Sequence, residues 1–313
     1  MKLSDETIKQ IQSADGSARE VARQLWVSAD SVIKYRKQLW EALAQKKDKE
    51  WEKKLKLLEH YSPKDIQEML NYIAQNTKKE VNEVLSEPWH LKFWLLSDSH
   101  LWARQCALDE LWEFYDKAKD KWVECFVHCG DLVDWANVYS GQQFEQSEVG
   151  FEDQVRLVKE KYPDVWLPTY FIGGNHSESY LKWGWADVAK AIEAVRQDLI
   201  NLWFYDATIK INWITIQLRH WWWTSSYALD YKLNKFIDKI PAWKEPDIFA
   251  LWHYHQALYA LHRDIHGFMP WSFLKENMLS KRFQLWNTVW GWIVEIEKDE
   301  KWRSKINMEY LKF

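Results

Sequence analysis

Short apolar runs and amphipathic segments alternate through the middle of the chain. Residues 91–96, 123–127 and 168–172 are apolar runs of strand length, and residues 103–119 and 151–161 between them have helical spacing. This order predicts a β-α-β-α-β unit with parallel strands. Polar segments follow each apolar run, at the carboxyl ends of the strands, where open α/β sheets place their functional residues.

The later part of the chain is rich in strand-like segments. Four further runs have the apolar alternation of strands: residues 207–219, 248–251, 257–265 and 289–297. Together with the first unit they predict a second sheet. The predicted fold class is therefore α/β, a two-sheet α/β sandwich preceded by a small all-α module.

The predicted all-α module has the pattern of a helix-turn-helix. Within residues 17–42, apolar residues at helical spacing precede a turn at Trp26, and Ser28 can cap a second helix. That second helix carries three basic side chains suited to contact nucleic acid: Lys34, Arg36 and Lys37. A helical hairpin that serves oligomerisation is the alternative interpretation.

Lysine and glutamate dominate the segment that follows. Residues 43–88 combine them with leucines at helical spacing, which predicts a solvated helical spacer. We therefore divide the chain into three parts, a helix-turn-helix-like module at 1–45, a charged helical linker at 46–90 and a large α/β domain at 91–313.

Composition narrows the class of protein. The formal net charge of -4 and a pI near 6.2 give no global nucleic-acid signature, so any DNA contact must come from a local patch. The polar start of the chain has no signal-peptide pattern, and no apolar run is long enough to span a bilayer. Cys106, Cys125 and Cys129 lack zinc-type spacing and are expected to be free thiols. These features predict a cytoplasmic protein without membrane contact.

Five short polar segments carry side chains that bind divalent metals. They are Ser97-Asp98-Ser99-His100, Gly130-Asp131-Leu132-Val133-Asp134, Gly174-Asn175-His176, Arg219-His220 and Trp252-His253-Tyr254-His255. Their carboxylates, imidazoles and one amide form a mixed oxygen and nitrogen set. Such a set suits a pair of divalent cations (Mn, Fe or Zn) better than one structural zinc.

The order of these segments resembles the calcineurin-like metallophosphoesterase family, with its motifs D-x-H, G-D, G-N-H, a lone His and G-H-x-H. The resemblance runs from about residue 91 to residue 296 and assigns the domain at 91–313 to that family. It implies that one metal is held by Asp98, His100 and His255, the other by Asn175, His220 and His253, and that Asp131 bridges the two. A water between the metals would attack phosphorus.

The same resemblance gives His176 the role of general acid or charge stabiliser at the leaving-group oxygen. The family normally follows this histidine with Asp or Glu, which orients it. Here Ser177 follows and Glu178 comes one residue later, so the support of His176 stays open. Asp134 is the usual acidic residue after G-D, and we expect it to support the site rather than bind metal.

Two arginines and five further histidines lie near the motifs or outside them. Arg104 and Arg219 are candidates to bind phosphate, although Arg219 could equally face outward from a strand. The remaining histidines are expected to be exposed or satisfied by ordinary hydrogen bonds: His60, His90, His128, His262 and His266.

Tryptophan stands where the family motifs and turn chemistry expect glycine. The chain holds 24 Trp and 9 Gly among 313 residues, whereas average usage would give roughly 22 Gly. Trp252 precedes His253 where the family has Gly, Trp102 follows the first motif, and residues 221–223 are three consecutive Trp. We hypothesise that the gene uses UGA for glycine and that these codons were assigned to tryptophan. A naturally Trp-rich protein is the alternative.

Three functions compete at this point. The first is a metal-dependent phosphodiesterase that acts on nucleic acid through a metal-bridging hydroxide and is targeted by the helix-turn-helix. The second is a phosphomonoesterase that acts on a nucleotide or a phosphoprotein. The third is a DNA-binding protein with an inactive phosphoesterase fold, which the intact ligand set disfavours.

Overall fold

The chain divides into two compact units, Met1–Asn76 and Thr77–Phe313. The computed structural model describes residues 81–134, 138, 141–148, 150–184, 186–220, 229–252, 256–270, 272–283 and 289–313, together with Thr7 and Lys34. Both of these N-terminal residues are helical, and Lys34 is exposed. Arg36, Lys37 and the predicted boundary at residue 45 lie outside the described residues.

The described strands of the second unit form two six-stranded sheets. The first sheet has the order β1 (Val81–Glu83), β6 (Asp206–Ile211), β7 (Ile214–His220), β8 (Ile248–Trp252), β10 (Ile265–Met269) and β9 (Leu258–His262). The second has the order β12 (Ser304–Lys312), β11 (Trp290–Lys298), β2 (His90–Leu96), β3 (Cys125–His128), β4 (Thr169–Ile172) and β5 (Leu199–Trp203). The predicted two-sheet α/β sandwich is confirmed.

Helices connect the strands. They are α1 (Leu108–Asp120), α2 (Phe151–Lys161), α3 (Gly174–Gly184), α4 (Val188–Val195), α5 (Leu229–Ile237) and α6 (Met278–Phe283). Helix α2 has the predicted bounds, because its periodicity is clear and Gly150 precedes it. Helix α1 begins later than the predicted residue 103, since Leu101 and Ala103 form bridges to Val133 and Gln146. No helix among the described residues is long and apolar enough to cross a membrane.

The central strand β2 is buried on both faces from Phe93 to Leu96, which explains the continuous apolar sequence of that stretch. Phe93 and Leu95 point into the core between the two sheets. Trp94 and Leu96 point into a second core, which the helices α1, α2 and α4 share with the outer face of the same sheet. The sheet that holds β2 therefore lies between the other sheet and the layer of helices α1, α2 and α4. Each of its two apolar faces is covered by one of these layers.

Residues 81–90 belong to the sandwich and not to the predicted linker. Strand β1 pairs in parallel with β6, with Val81 opposite Ile209, and β2 begins at His90. The residues of the short edge strand β1 are partly or fully exposed. Its sequence is therefore as polar as the segment before it. The rest of the predicted linker, residues 46–80, lies outside the described residues.

The strands that precede the polar motifs all end on the same side of the sandwich. Strands β2, β3 and β4 are parallel neighbours in one sheet, and β7 and β8 are parallel neighbours in the other. The two sheets meet at these ends, where His220 Nδ1 lies 2.8 Å from the carbonyl oxygen of Cys129. The topology therefore gathers motifs that are far apart in sequence at one site.

Candidate metal centre

Two loops at the carboxyl ends of β2 and β3 run side by side and carry the first ligand candidates. The N–H of Asp98 donates to the Gly130 carbonyl over 3.0 Å, and the N–H of His100 donates to the Asp131 carbonyl over 3.0 Å. The φ angles of Asp98, His100 and Asp131 are 45°, 41° and 53°. Non-glycine residues rarely adopt this left-handed conformation, and where they do it is concentrated at functional sites.

Two glycines allow the loops to approach one another. Gly130 has a φ of 111°, and a Cβ atom there would lie 2.5 Å from Nδ1 of His220. Gly174 has a φ of 86°, and a Cβ atom there would collide with the carboxylate of Asp131. A side chain at either position would push the strand ends apart, so glycine is required at both.

The buried carboxylate of Asp131 is shared by two groups of possible metal ligands. One group is Asp98, Asp131 and His220, and the other is His100, Asp131 and His176, each with its ligand atoms within 4.8 Å of one another. Nε2 of His100 lies 3.1 Å from Oδ1 of Asp98, which links the two groups further. One central carboxylate between two sets of donors is an arrangement that suits two cations.

His220 lies beside Asp131 and Asn175. Its Nε2 lies 2.9 Å from Oδ2 of Asp131 and 2.9 Å from Oδ1 of Asn175. Its Nδ1 donates to the carbonyl oxygen of Cys129, so Nε2 is the ring nitrogen that faces the centre. An imidazole held by a carbonyl through its second nitrogen is the usual orientation of a metal ligand.

The structure answers the open question of what supports His176. A carboxylate oxygen of Asp134 contacts Nδ1 of His176, and Nδ1 of His100 lies 3.3 Å from the same oxygen. Nε2 of His176 consequently faces the centre, 3.9 Å from Oδ2 of Asp131. Asp134 thus provides an acidic partner for His176 among the described residues.

Two glutamines that no sequence motif marks hold Asp134. Nε2 of Gln142 donates to Oδ1 of Asp134 over 2.7 Å, and Nε2 of Gln146 donates to Oδ2 over 3.3 Å. The backbone N–H of Val138 donates to Oε1 of Gln142 over 2.8 Å and fixes the amide. Gln142 lies in a short 3-10 helix, Gln142–Phe144, and no sequence signal marks it.

The electrostatics of the cluster favour ionised carboxylates. Burial alone would raise the pKa of Asp131, but the nearby charges of His220 and His176 hold it well below its usual value. Burial likewise opposes ionisation of Asp134, and the charge of His176 with the hydrogen bond from His100 lowers its pKa. Burial opposes protonation of His220, yet the charge of Asp131 raises its pKa to about 9. Buried carboxylates that stay ionised provide the charge that divalent cations need.

Five of the seven predicted ligands meet at this centre, namely Asp98, His100, Asp131, Asn175 and His220. The other two, His253 and His255, lie outside the described residues. Strand β8 ends at Trp252, which pairs with His220 of β7, so the chain passes the centre directly before these histidines.

The two candidate arginines are engaged in other ways. Arg219 alternates with His220 on β7, and its guanidinium lies 3.8 Å from Asp206 and over the ring of Phe236. Arg104 is exposed and donates to the carbonyl of Gln146 over 3.2 Å. Arg219 is therefore the outward-facing strand residue that sequence analysis left as the alternative.

The sandwich and its buried centre together define a hydrolase class in which carboxylates and imidazoles hold metal at the carboxyl ends of parallel strands. The family model for calcineurin-like phosphoesterases matches residues 91–286, more than half of the chain. The chain belongs to this family and is a metal-dependent phosphoester hydrolase. The family is typically dinuclear, in agreement with the two ligand groups. No curated protein matches the sequence.

Several solved structures are similar to this chain. An archaeal phosphodiesterase is 12% identical, with 71% of this chain and 100% of that chain covered and a TM-score of 0.40. A predicted phosphoesterase from Streptococcus pneumoniae is 13% identical, with 71% and 90% covered and a TM-score of 0.37. Vps29 from Entamoeba histolytica, complexed with zinc, is 13% identical, with 71% and 99% covered and a TM-score of 0.35.

Proposed function

We propose that this protein is a dinuclear metal-dependent phosphodiesterase that cleaves nucleic acid. The observation that carries the dinuclear assignment is the position of the Asp131 carboxylate, which belongs to both groups of possible ligands. A carboxylate has two oxygens, and each can satisfy one cation. The proposal extends the family's general phosphoester hydrolysis to a particular metal count and substrate class.

The donor chemistry of the described residues fits two divalent cations. The carboxylates of Asp98, Asp131 and Asp134 are all buried, and buried negative charge is unfavourable unless it is compensated. We assign Asp98, His100 and His255 to one ion, and Asn175, His220 and His253 to the other, with Asp131 between them. The two groups seen among the described residues divide the donors differently, with Asp98 beside His220 and His100 beside His176. Mn, Fe and Zn all suit such ligands.

Separate residues of the chain would donate the proton in the reaction and hold the proton donor in place. Bound cations would supply Lewis acidity and neutralise charge on the phosphoryl group. His176 lies beside Asp131, and its Nδ1 is held by Asp134, so a proton on Nε2 would be available to the leaving-group oxygen. Gln142 and Gln146 fix Asp134, which keeps the imidazole in one orientation.

Nucleic acid as the substrate is supported by the sequence of the N-terminal unit. Its second predicted helix would expose Lys34, Arg36 and Lys37, and Lys34 is helical and exposed. Basic side chains on an exposed helix bind the phosphate backbone. A helix-turn-helix joined to a phosphoesterase would bring the catalytic domain to a nucleic-acid phosphodiester.

The full-length protein, stripped of metal with a chelator and reloaded with Mn²⁺, tests the proposal. We expect hydrolysis of bis-p-nitrophenyl phosphate and cleavage of single- or double-stranded DNA, both lost again on chelation. Hydrolysis of p-nitrophenyl phosphate alone would indicate a phosphomonoesterase. DNA binding without hydrolysis of any ester in the metal-loaded protein would indicate an inactive phosphoesterase fold. Either of these outcomes would overturn the proposal.

The pair formed by Asp134 and His176 leads to a separate prediction. His176→Ala is expected to lower kcat by about 10²–10³, because a positioned general acid contributes on this order, while both metals stay bound. Asp134→Asn should lower kcat by the same mechanism, since the ring loses its ionised partner. Ser177→Ala is the matched control and should keep the wild-type rate. Rates and metal content, measured on the same samples, check the prediction, and metal loss in His176→Ala would show that His176 is a ligand.

A further inference from the structure

His128 is a buried histidine that lies beneath the metal centre and is not one of the proposed ligands. It is the last residue of β3 and is fully buried. The N–H of Gly130 lies 3.3 Å from its Nδ1, and the hydroxyl of Ser99 lies 3.0 Å from its Nε2. Both ring nitrogens therefore have partners on the two loops that carry ligands.

The hydrogen bonds around His128 have only one consistent direction. Because the Gly130 N–H is a donor, Nδ1 must accept and Nε2 must carry the proton, which it donates to the hydroxyl of Ser99. The Ser99 hydroxyl then donates to the carbonyl of Leu132 over 3.1 Å. Burial lowers the pKa of His128 to about 3, which agrees with a neutral ring.

This chain of hydrogen bonds connects residues that flank three proposed ligands. Ser99 lies between Asp98 and His100, and Gly130 directly precedes Asp131. All three ligands have left-handed backbone, which L-residues disfavour, so the surrounding structure has to impose it. His128 contacts both loops through its two ring nitrogens, and the Ser97 hydroxyl adds a contact between them, 3.3 Å from the Gly130 carbonyl.

We propose that His128 is a positioning residue for the dinuclear centre. By joining Ser99 to Gly130, it holds the two loops at the separation that lets Asp98, His100 and Asp131 bind metal together. The inference rests on the proposed dinuclear function, and it predicts an effect on metal binding rather than on the chemical step.

Calorimetric titration of chelator-treated protein with Mn²⁺ tests the inference. His128→Leu and Ser99→Ala are each expected to weaken Mn²⁺ binding about 10- to 100-fold, the usual effect of losing a partner that orients ligands. The double variant should lose little more than either single variant, because both belong to one chain of bonds. His128→Gln, whose amide can still donate near the Nε2 position, should recover part of the affinity.

His266→Leu provides the matched control. His266 is also buried and also has partners on both nitrogens, the hydroxyls of Tyr259 at 2.9 Å and Ser304 at 3.0 Å. It pairs with Ile248 at the start of β8, at the opposite end from the centre. The variant should lose stability and keep its Mn²⁺ affinity. Wild-type affinity in His128→Leu would overturn the inference, whereas a wild-type protein that binds no metal would overturn the proposed function itself.

A second, independent observation concerns the tryptophans. Twelve non-glycine residues of the described chain have positive φ angles, and six of them are Trp. These six are Trp89, Trp102, Trp122, Trp166, Trp213 and Trp302. Tryptophan is bulky and is not among the residue types that tolerate this conformation, which is the ordinary conformation of glycine in turns.

Two of these tryptophans occupy turns with well-known sequence requirements. Trp89 follows Pro88 in a turn closed by the His90 N–H and the Glu87 carbonyl over 3.3 Å. With proline at the second position, a positive φ at the third is the type II turn, which requires glycine. Trp213 follows Asn212 in a two-residue hairpin between β6 and β7, with φ angles of 48° and 68°. Asn-Gly is the preferred sequence of that turn.

Two more tryptophans stand at positions where glycine is usual, one at a helix terminus and one in a turn. Trp122, with a φ of 55°, follows α1 directly after Lys121, whose N–H still bonds to the helix. Glycine is the usual residue at this left-handed helix terminus. Trp102, with a φ of 93°, is the third residue of a four-residue turn. In this turn the N–H of Ala103 donates to the carbonyl of His100. The local backbone at all four positions is that of glycine.

Other tryptophans of the chain behave as ordinary residues. Trp292 is buried in β11, and its indole N–H lies 3.3 Å from the Met269 carbonyl. Trp112 lies inside α1 and donates to the Lys161 carbonyl over 3.1 Å. By contrast, Trp122 and Trp166 are 86% and 91% exposed. The six tryptophans thus differ from Trp112 and Trp292 in backbone conformation.

We infer that the natural protein has glycine at the six positive-φ positions, each encoded by UGA, and tryptophan at Trp112 and Trp292, encoded by UGG. The coding DNA and peptide mass spectrometry of the protein from its native host test this inference together. We expect UGA codons and glycine masses at the six positions. UGG codons or tryptophan masses there would overturn it, and so would UGA codons at Trp112 and Trp292.

Discussion

Asp131→Asn is expected to lower phosphoester hydrolysis by about three orders of magnitude or more, because metal ions contribute several kcal/mol of charge stabilisation and the carboxylate that we propose as their bridge would be lost. The amide has the same shape as the carboxylate, and its oxygen can still accept the hydrogen bond that the backbone N–H of His176 donates to Oδ1 over 2.9 Å. We therefore expect the sheet and its ends to keep their structure. Initial rates on bis-p-nitrophenyl phosphate, with metal content and thermal unfolding measured in parallel, check this.

The matched control for Asp131→Asn is Asp198→Asn. Asp198 forms an ion pair with Arg196 at the start of β5, on the side of the sheet away from the centre. This variant should lose some stability and keep its rate. Near-normal activity in Asp131→Asn would remove the two-metal assignment, since that assignment gives the Asp131 carboxylate to both ions.

Trp122→Gly and Trp166→Gly are each expected to stabilise the protein, although removing a large side chain usually has the opposite effect. Left-handed backbone costs an L-residue about 1–2 kcal/mol, which glycine does not incur. These two rings are 86% and 91% exposed, so their removal loses little packing. We expect a gain of about 1 kcal/mol in the free energy of unfolding per site, measured by urea denaturation.

Two other tryptophans distinguish this effect from a general benefit of removing tryptophan. Trp243 is 83% exposed and has no positive φ, so Trp243→Gly should leave stability unchanged or lower it slightly. Trp292→Gly removes a buried ring and should cost about 3–5 kcal/mol. If all four variants, at Trp122, Trp166, Trp243 and Trp292, lost the same free energy of unfolding, tryptophan would be the native residue at the turns.

Local sequence signals were sufficient for the central strands and for the ligand motifs. Strand β2 and helix α2 lie where their apolar patterns predict them, because a doubly buried strand and an amphipathic helix each have a distinct period. The short edge strand β1 and the helix α3, which begins at Gly174, were not predicted. Neither sequence has a regular spacing of apolar residues. The edge strand β1 is half exposed, and α3 begins with the glycine and ligand residues of the G-N-H motif.

The sequence by itself determined which residue types bind metal and in what order, because ligand chemistry depends on the identity of the side chain. It also indicated, through missing glycines, that some tryptophans stand in turns. The sequence already implied a bridging role for Asp131 and a supporting role for Asp134. Only the tertiary structure decided which donors surround Asp131, and that the Asp134 carboxylate contacts His176 and lies near His100. The same holds for Gln142 and His128, which have no motif. These roles depend on distances between segments that are remote in sequence, and such distances arise only when the ends of the two sheets pack together.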